Sequence, residues 1–329
     1  MRYSVIIPVY NRPNEVDELL QSLVEQNFKG FEVIVVEDGS SIPCKEIVDR
    51  YARLLNIRYF LKPNSGPGQS RNYGMERSEG DYLIILDSDV ILPCGYFEAV
   101  EKELLTSSAD AFGGPDRAHD SFTDLQKAIN YSMTSFFTTG GIRGGKKKMD
   151  KFYPRSFNMG LSKKVYETLG GFSKMRFGED IDFSIRVFNA GYTCRLFPSA
   201  WVYHKRRTDL KKFFKQVHNS GIARINLYKK YPDSLKLVHL LPAVFTLGVV
   251  LLLLGTPFCL YSLLPILVYA CLVFIDSTIQ NKSLLIGIYS ISTAFIQLIG
   301  YGMGFWRAWW QRCIRRKGEF EAFRNNFYK

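Results

Sequence analysis

Paired cysteines are absent from this 329-residue sequence. The six cysteines, at positions 44, 94, 194, 259, 271 and 313, form no CxxC and no matched spacing. That excludes a disulfide scaffold and a cysteine-rich zinc site, and it fits reduced thiols in a protein on the cytoplasmic side of a membrane. The N-terminus, "MRYSVIIPVYNRP", lacks a charged region followed by a long apolar stretch and a cleavage site. It is read as carrying no signal peptide, so the N-terminal part is expected to stay in the cytoplasm. Acidic residues are scarce in two segments. Residues 205 to 236 hold ten Lys/Arg against two acids and residues 307 to 329 hold seven against two, so +8 and +5 of the net +12 sit there and −1 remains elsewhere. A near-neutral remainder excludes nucleic acid as the expected partner, whereas basic segments flanking an apolar region fit an anionic membrane surface.

Polar residues thin out after about residue 237. Residues 237 to 255 and 258 to 275 are each close to spanning length and are joined by a tight turn at "TP". A third stretch, 284 to 306, is apolar but carries Ser, Thr, Gln and Gly. Three spans would put the two basic flanks on opposite sides, so hydropathy and charge disagree: either the third stretch lies in the interface or is re-entrant, or the positive-inside rule is broken, and three apolar helices of unsettled topology are expected. Just before this region, Leu210, Phe213, Phe214, Val217, Ile225 and Tyr228 recur at helical spacing with lysines opposite. This is either a surface helix on the membrane or an ordinary packed one. The expected organisation is a catalytic domain over 1–207, an amphipathic juxtamembrane helix over 208–236, a hydrophobic helical region over 237–306 and a basic cytoplasmic tail over 307–329.

The N-terminal part alternates continuous apolar runs with amphipathic ones. "YSVIIPVY" reads as a buried strand, and Val16, Leu19, Leu20 and Leu23 mark a following helix. "FEVIVVEDGSS", "IRYFLK" and "DYLIILDSDV" read as further strands, with helices near "CKEIVDRYARLL" and "GQSRNYGMERS". The pattern predicts an α/β fold, a mostly parallel sheet with helices on both faces. Three strands end in polar clusters, "VYNRP", "EDGSS" and "DSDV", which should converge on one crevice at the carboxyl ends of the strands. Further on, "YPRSFNMGLSKKVYETLGGF" predicts a strand and a helix, "GEDIDFSIRVFNAG" a loop opening a helix, and "TTGGIRGGKKK" a mobile loop.

Asp87 and Asp89 stand out because they close an otherwise apolar run. In an extended segment residues i and i+2 face the same way, so both can reach one ligand. Two clustered carboxylates repel unless a cation lies between them, and oxygen ligands suit Mg²⁺ or Mn²⁺ completed by phosphate oxygens. In "EDGSS", Asp38 can accept a hydrogen bond from a base edge. In "NSGPGQSRNYG", Gly66 and Gly68 permit close backbone approach, and Arg71 could brace Asp38 or a nucleotide. In "GEDIDFSIR", Glu179, Asp180 and Asp182 include carboxylates able to take a proton from an attacking hydroxyl.

Five motifs, "SVIIPVYNRP", "VVEDGSS", "NSGPGQSRNYG", "LDSDV" and "GEDIDFSIR", occur in the order and at about the spacing of family 2 glycosyltransferases, over roughly residues 1 to 205. The chain resembles the membrane-associated bacterial type of that family. The resemblance implies a GT-A fold and an inverting, metal-dependent sugar transfer from a nucleotide-diphosphate donor, UDP-linked, to a hydroxyl of a lipid-linked or polysaccharide acceptor. It implies donor contacts at Pro8, Tyr10, Asn11, Glu37, Asp38, Gly66, Arg71, Asp87, Ser88 and Asp89, with Asp38 at the base. Glu37 stands where the family more often has Asp. The metal, Mg²⁺ or Mn²⁺, is expected on Asp89, with Asp87 nearer the ribose and His204 of "WVYHKRR" completing the shell. Asp180 is the expected base, and Asn158 and Glu179 the expected acceptor contacts. Arg206 and Arg207 could neutralise the leaving diphosphate or flank the membrane. The implied location is the inner membrane, catalytic domain in the cytoplasm. A polyprenyl-phosphate transferase and a non-catalytic nucleotide-binding protein are the alternatives.

Overall fold

A computed structural model describes residues 1–140 and 152–320. The chain divides into two compact units, whose described residues are 1–117 with 152–204, and 118–140 with 205–320. Most of the glycine-rich segment expected to be a mobile loop, and the end of the basic tail, lie outside the described residues.

In the first unit the chain runs β1 (Tyr3–Val9), α1 (Pro13–Val24), β2 (Phe31–Asp38), α2 (Lys45–Tyr51), β3 (Ile57–Lys62), α3 (Pro67–Glu76) and β4 (Tyr82–Leu86). It continues through β5 (Val90–Ile91), α4 (Tyr96–Thr106), β6 (Ala111–Gly113) and β7 (Asp116–Arg117). The second unit contributes α5 (Asp124–Thr134) and α6 (Phe136–Thr139). The first unit resumes with β8 (Asn158–Ser162), α7 (Lys163–Leu169), α8 (Glu179–Asn189), β9 (Cys194–Leu196) and β10 (Val202–His204).

Seven strands form one sheet in the order β3-β2-β1-β4-β8-β6-β9. β1, β2, β3 and β4 pair in parallel, and β8 runs antiparallel to both β4 and β6. The sheet is therefore mostly parallel, as the alternating pattern implies. Successive side chains of β1 point to opposite faces, so Val5, Ile7 and Val9 pack with Val16, Leu19, Leu20 and Leu23, while Ile6 packs with Met75, Leu83, Ile85 and Phe183. Each fully buried side chain of this size contributes about 1.5–3 kcal/mol, which is why both faces need cover. A second sheet, β5-β10-β7, pairs His204 with Val90 and Val202 with Asp116.

The second unit adds α9 (Leu210–Lys230), α10 (Leu241–Gly255), α11 (Leu264–Asn281) and α12 (Leu284–Trp309). Residues 118–140, placed by the sequence reading within the 1–207 segment, pack with these helices. The Tyr131 hydroxyl donates to Asp276 at 2.6 Å, and the Thr293 hydroxyl donates to the Ala128 carbonyl at 3.0 Å. Two helical stretches, Leu260–Asn281 and Leu284–Ile314, are long and apolar enough to cross a membrane; α10 is apolar but shorter, at 15 residues.

Candidate active site

The carboxyl ends of β1, β2 and β4 supply the first residues of the site. After β1 the chain turns at Asn11, whose φ of 53° lies in the left-handed region that Asn tolerates. Its side-chain carbonyl accepts from the Ile42 N–H at 3.0 Å and the Ser41 hydroxyl at 3.1 Å, and its own N–H donates to Ser40 Oγ at 2.8 Å. These bonds pin the loop after β1 to the loop after β2. Pro8 lies beyond Ile6, the last residue of β1 in register with β4, and Tyr10 is half-buried in the turn that follows. Arg12, the residue after Asn11, forms an ion pair with Asp89.

Glu37 and Asp38 point to opposite sides of β2 and do different things. Glu37 is buried, accepting from Ser40 Oγ and from the Cys44 N–H at 2.8 Å. Asp38 accepts from the backbone N–H groups of Ser65 and Gly66, both at 2.9 Å, and from the Lys62 ammonium. Gly66 has φ of 91°, which a side chain would strain, so the glycine lets its N–H turn onto Asp38. Of the two roles open to Arg71 in the sequence, bracing Asp38 or a nucleotide, it does not take the first. Lys62 does, because β3 pairs with β2 in a register that sets Lys62 beside Asp38.

Arg71 instead lies almost wholly buried, its side chain 4% exposed, and forks between Asp87 at 2.7 Å and Glu179 at 2.9 Å. The strand leading to Asp87 ends four residues before Val90, where the sequence pattern "DYLIILDSDV" would carry it. β4 stops at Leu86, and the Val90 N–H donates to the Asp87 carbonyl at 3.3 Å, closing a turn over Asp87, Ser88 and Asp89. The two carboxylates therefore converge through a turn rather than through the pleat, and Ser88 between them is buried.

β10 brings His204 to this turn. Its Nε2 lies 3.3 Å from Asp89 Oδ1, and donor atoms of Asp87, Asp89 and His204 all fall within 4.8 Å of one another. The imidazole stacks on Phe157 with ring centroids 4.7 Å apart, and its Nδ1 lies 3.7 Å from Asp116 on β7. A carboxylate behind the far ring nitrogen is how proteins orient a metal-binding histidine. Two carboxylates and one imidazole, half-open to solvent, match the donor set of a divalent cation such as Mn²⁺ or Mg²⁺ that completes its shell with phosphate oxygens.

The acidic pair opens α8. Glu179 turns inward onto Arg71, and burial, with neighbouring Asp180, pushes its carboxyl up to about 7 despite the guanidinium. Asp180 accepts from the Ile181 N–H at 2.8 Å on one oxygen and lies 3.5 Å from Arg155 on the other. Asp182 is fully buried and paired with Arg186 at 3.2 Å. Asn158 was expected beside the acceptor, but it is 0% exposed. Its amide oxygen accepts from the Tyr96 hydroxyl at 2.7 Å and its nitrogen donates to the Ala200 carbonyl at 2.8 Å. Asn158 thus ties β8 to the start of α4 and to the loop before β10. In the second unit, Arg206 is buried and donates to Asn130 at 3.0 Å. Arg12, Lys62, Asp116, Arg155 and Phe157 complete the constellation without having been singled out in the sequence.

Residues 4–170, just over half the chain, match the family model for glycosyl transferase family 2. The chain is 33% identical over 137 residues to an uncharacterized glycosyltransferase of Rickettsia felis, covering 42% of this chain and 22% of that protein. It is 38% identical over 113 residues to the poly(ribitol-phosphate) beta-N-acetylglucosaminyltransferase TarS of Staphylococcus aureus, covering 33% of this chain and 18% of TarS. The chain thus spans less than a quarter of either relative's length. Among solved structures, the mannosyltransferase PcManGT of Pyrobaculum calidifontis, in complex with GDP-Man and Mn²⁺, superposes with a TM-score of 0.59 at 17% identity, over 94% of this chain and 88% of that one. TarS 1–349 in complex with UDP-GlcNAc superposes with a TM-score of 0.50 at 21% identity, over 69% of this chain and 67% of that one. With the DSD turn, the acidic pair and the mostly parallel sheet in place, the chain belongs to glycosyl transferase family 2 and has the GT-A fold.

Proposed function

We propose that this family member is an inverting transferase, moving a sugar from a UDP-linked donor to a hydroxyl of a lipid-linked or polysaccharide acceptor at the inner face of the cytoplasmic membrane. The observation that carries the reading is Arg71, whose single guanidinium holds Asp87 of the carboxylate–imidazole cluster and Glu179 of the acidic pair. The fork joins a seat for a diphosphate to a carboxylate next in sequence, Asp180, which is free of that fork.

In the proposed step the acceptor hydroxyl loses its proton to Asp180 as its oxygen bonds to the anomeric carbon. The bond from that carbon to the diphosphate oxygen breaks, and the nucleoside diphosphate leaves with the electron pair. Asp87, Asp89 and His204 would hold Mn²⁺ or Mg²⁺, which when bound supplies electrostatic stabilisation of the leaving diphosphate. Glu179, anchored on Arg71, sets the start of α8 and so the position of Asp180. Asp38 and Gly66 shape the loop expected to face the base, and Pro8, Tyr10, Asn11, Glu37 and Ser88 are the further donor contacts of this reading. The UDP preference draws support from TarS, whose structure carries UDP-GlcNAc. A surface-polymer acceptor draws support from the poly(ribitol-phosphate) in that relative's name, and a lipid-linked one from the exposed apolar helices.

The test uses full-length protein in its native membranes with UDP-sugars and reads UDP release. Asp180→Asn should lower turnover about 10²–10⁴-fold while UDP binding with Mn²⁺ persists. If Asp180→Asn keeps its turnover while Asp89→Ala loses it, the acceptor is already an anion and the hydroxyl reading fails.

A further inference from the structure

The three apolar stretches are not equivalent once packed. α10 buries only Ala243 and Thr246, and α11 only Val273 and Ser277. Leu247, Val250, Leu251 and Leu254 of α10, and Leu267, Val268 and Leu272 of α11, stay exposed along their lengths. α12 behaves differently. It buries eleven residues from Ile286 to Ala308, and its exposed large side chains lie at its two ends, Leu284 to Tyr289 and Met303 onward. A helix crossing a bilayer alone has its middle in lipid, whereas the middle of α12 is covered by protein.

What covers it decides where it can lie. The Thr293 hydroxyl of α12 donates to the Ala128 carbonyl of α5, and Ile296 packs with Ile129, Met133, Phe213 and Val217 of α5 and α9. Further along, α12 meets α9 backbone to backbone. A Cβ at Gly221 would stand 2.1 Å from the Tyr301 carbonyl oxygen, and one at Gly304 would stand 2.0 Å from the His218 carbonyl oxygen. Arg312 then donates to Asn226 at 2.8 Å. α9 carries Lys211, Lys212, Lys215, Lys229 and Lys230 exposed to solvent. Each lysine at hydrocarbon depth would cost about 2.5–3.5 kcal/mol, so α9 stays outside the hydrocarbon and holds α12 beside it.

We infer that the lipid-facing surface of this protein is the α10–α11 hairpin, and that α12, despite its length and hydropathy, lies along the membrane surface with α5 and α9 and does not cross. The inference rests on the membrane reading of the proposed function and names the part of the chain that meets the bilayer. A hairpin returns the chain to the side it left, whether its tip at Phe258 and Tyr261 reaches the far interface or stops within the hydrocarbon. The basic segment beyond α12, with Arg312, Arg315, Arg316 and Lys317, then faces the same anionic leaflet as the lysines of α9, which removes the conflict between hydropathy and charge.

The test labels the full chain in spheroplasts and in inside-out vesicles with a membrane-impermeant maleimide, and reads each cysteine by peptide mass. Cys94, exposed in the first unit, marks the side of the catalytic unit; Gly318→Cys, at a position open to solvent, marks the tail. Both should label in inside-out vesicles at least about tenfold more than in spheroplasts. Labelling of Cys94 and Gly318→Cys from opposite sides means an odd number of crossings and overturns the inference. A carbonate wash of the same membranes separates the two readings: release of the chain from the pellet sinks the membrane reading itself.

Discussion

Replacing Arg71 by Met removes a cation that bridges two carboxylates, Asp87 and Glu179. Breaking a buried ion pair from one side costs roughly 3–5 kcal/mol, because the partner charge is left in a poor solvent. Here the two partners differ. The Asp87 side chain is 30% exposed and can hydrate, whereas that of Glu179 is 10% exposed and cannot, so most of the cost falls on Glu179. Its carboxyl already sits at about 7, raised by burial first and by Asp180 second, with Arg71 opposing. Because this folded value lies above the ordinary one, the contribution of Glu179 to stability is fully present below the unfolded pKa and is lost as pH rises through 7. Without Arg71 the carboxyl rises further, and the loss continues above pH 7. The deficit of Arg71→Met should therefore be largest at pH 8, on the order of 10 °C in Tm, and smaller at pH 6 by about 1 kcal/mol. Adding Glu179→Gln removes the stranded charge, so the double variant should melt above the single one at pH 8 and should lose the extra pH dependence. Scanning fluorimetry of detergent-purified protein at both pH values measures this. A deficit equal at pH 6 and 8, or a double variant less stable than Arg71→Met, refutes the assignment of Glu179 as the charge that Arg71 holds.

Two further perturbations address the carboxylate–imidazole cluster. Arg12 pairs with Asp89, so a cation binding at Asp89 must compete with it; Arg12→Met should tighten Mn²⁺ binding several-fold in titration calorimetry without nucleotide, and weaker binding would show that Arg12 helps build the seat. Asp116 stands behind His204, and Asp116→Asn should weaken Mn²⁺ binding about 10–100-fold with little change in Tm; unchanged Mn²⁺ affinity would remove Asp116 from the metal's support.

The parts of the fold that the sequence discloses are local. Val16, Leu19, Leu20 and Leu23 announce α1, and the apolar runs of β1, β2 and β4 announce a sheet covered on both faces, because helical and strand periods need only neighbouring residues. The DSD segment misleads for the same reason. Val90 and Ile91 resume an extended course, so the apolar run reads as one strand although a turn interrupts it. The rest depends on pairing between distant strands. His204 meets Asp89 because β10 pairs with β5, and Lys62 rather than Arg71 meets Asp38 because β3 and β2 share one register. Neither relation leaves a periodic trace. Asn158 shows the same limit: its bonds to Tyr96 and Ala200 join residues 62 and 42 positions away, and no local period announces them.

Thermal shift of the wild-type protein and Asp89→Asn with UDP, UDP-GlcNAc and GDP-Man, each with and without Mn²⁺, measures whether the turn at Asp87 and Asp89 with His204 seats a cation and a donor diphosphate. Saturation at about one hundred times Kd should stabilise the wild type by roughly 2.7 kcal/mol, with Mn²⁺ required and a uridine nucleotide strongest, and Asp89→Asn should respond to none. Stabilisation by no nucleotide diphosphate in the presence of Mn²⁺, or equal stabilisation of wild type and Asp89→Asn, would contradict that seat.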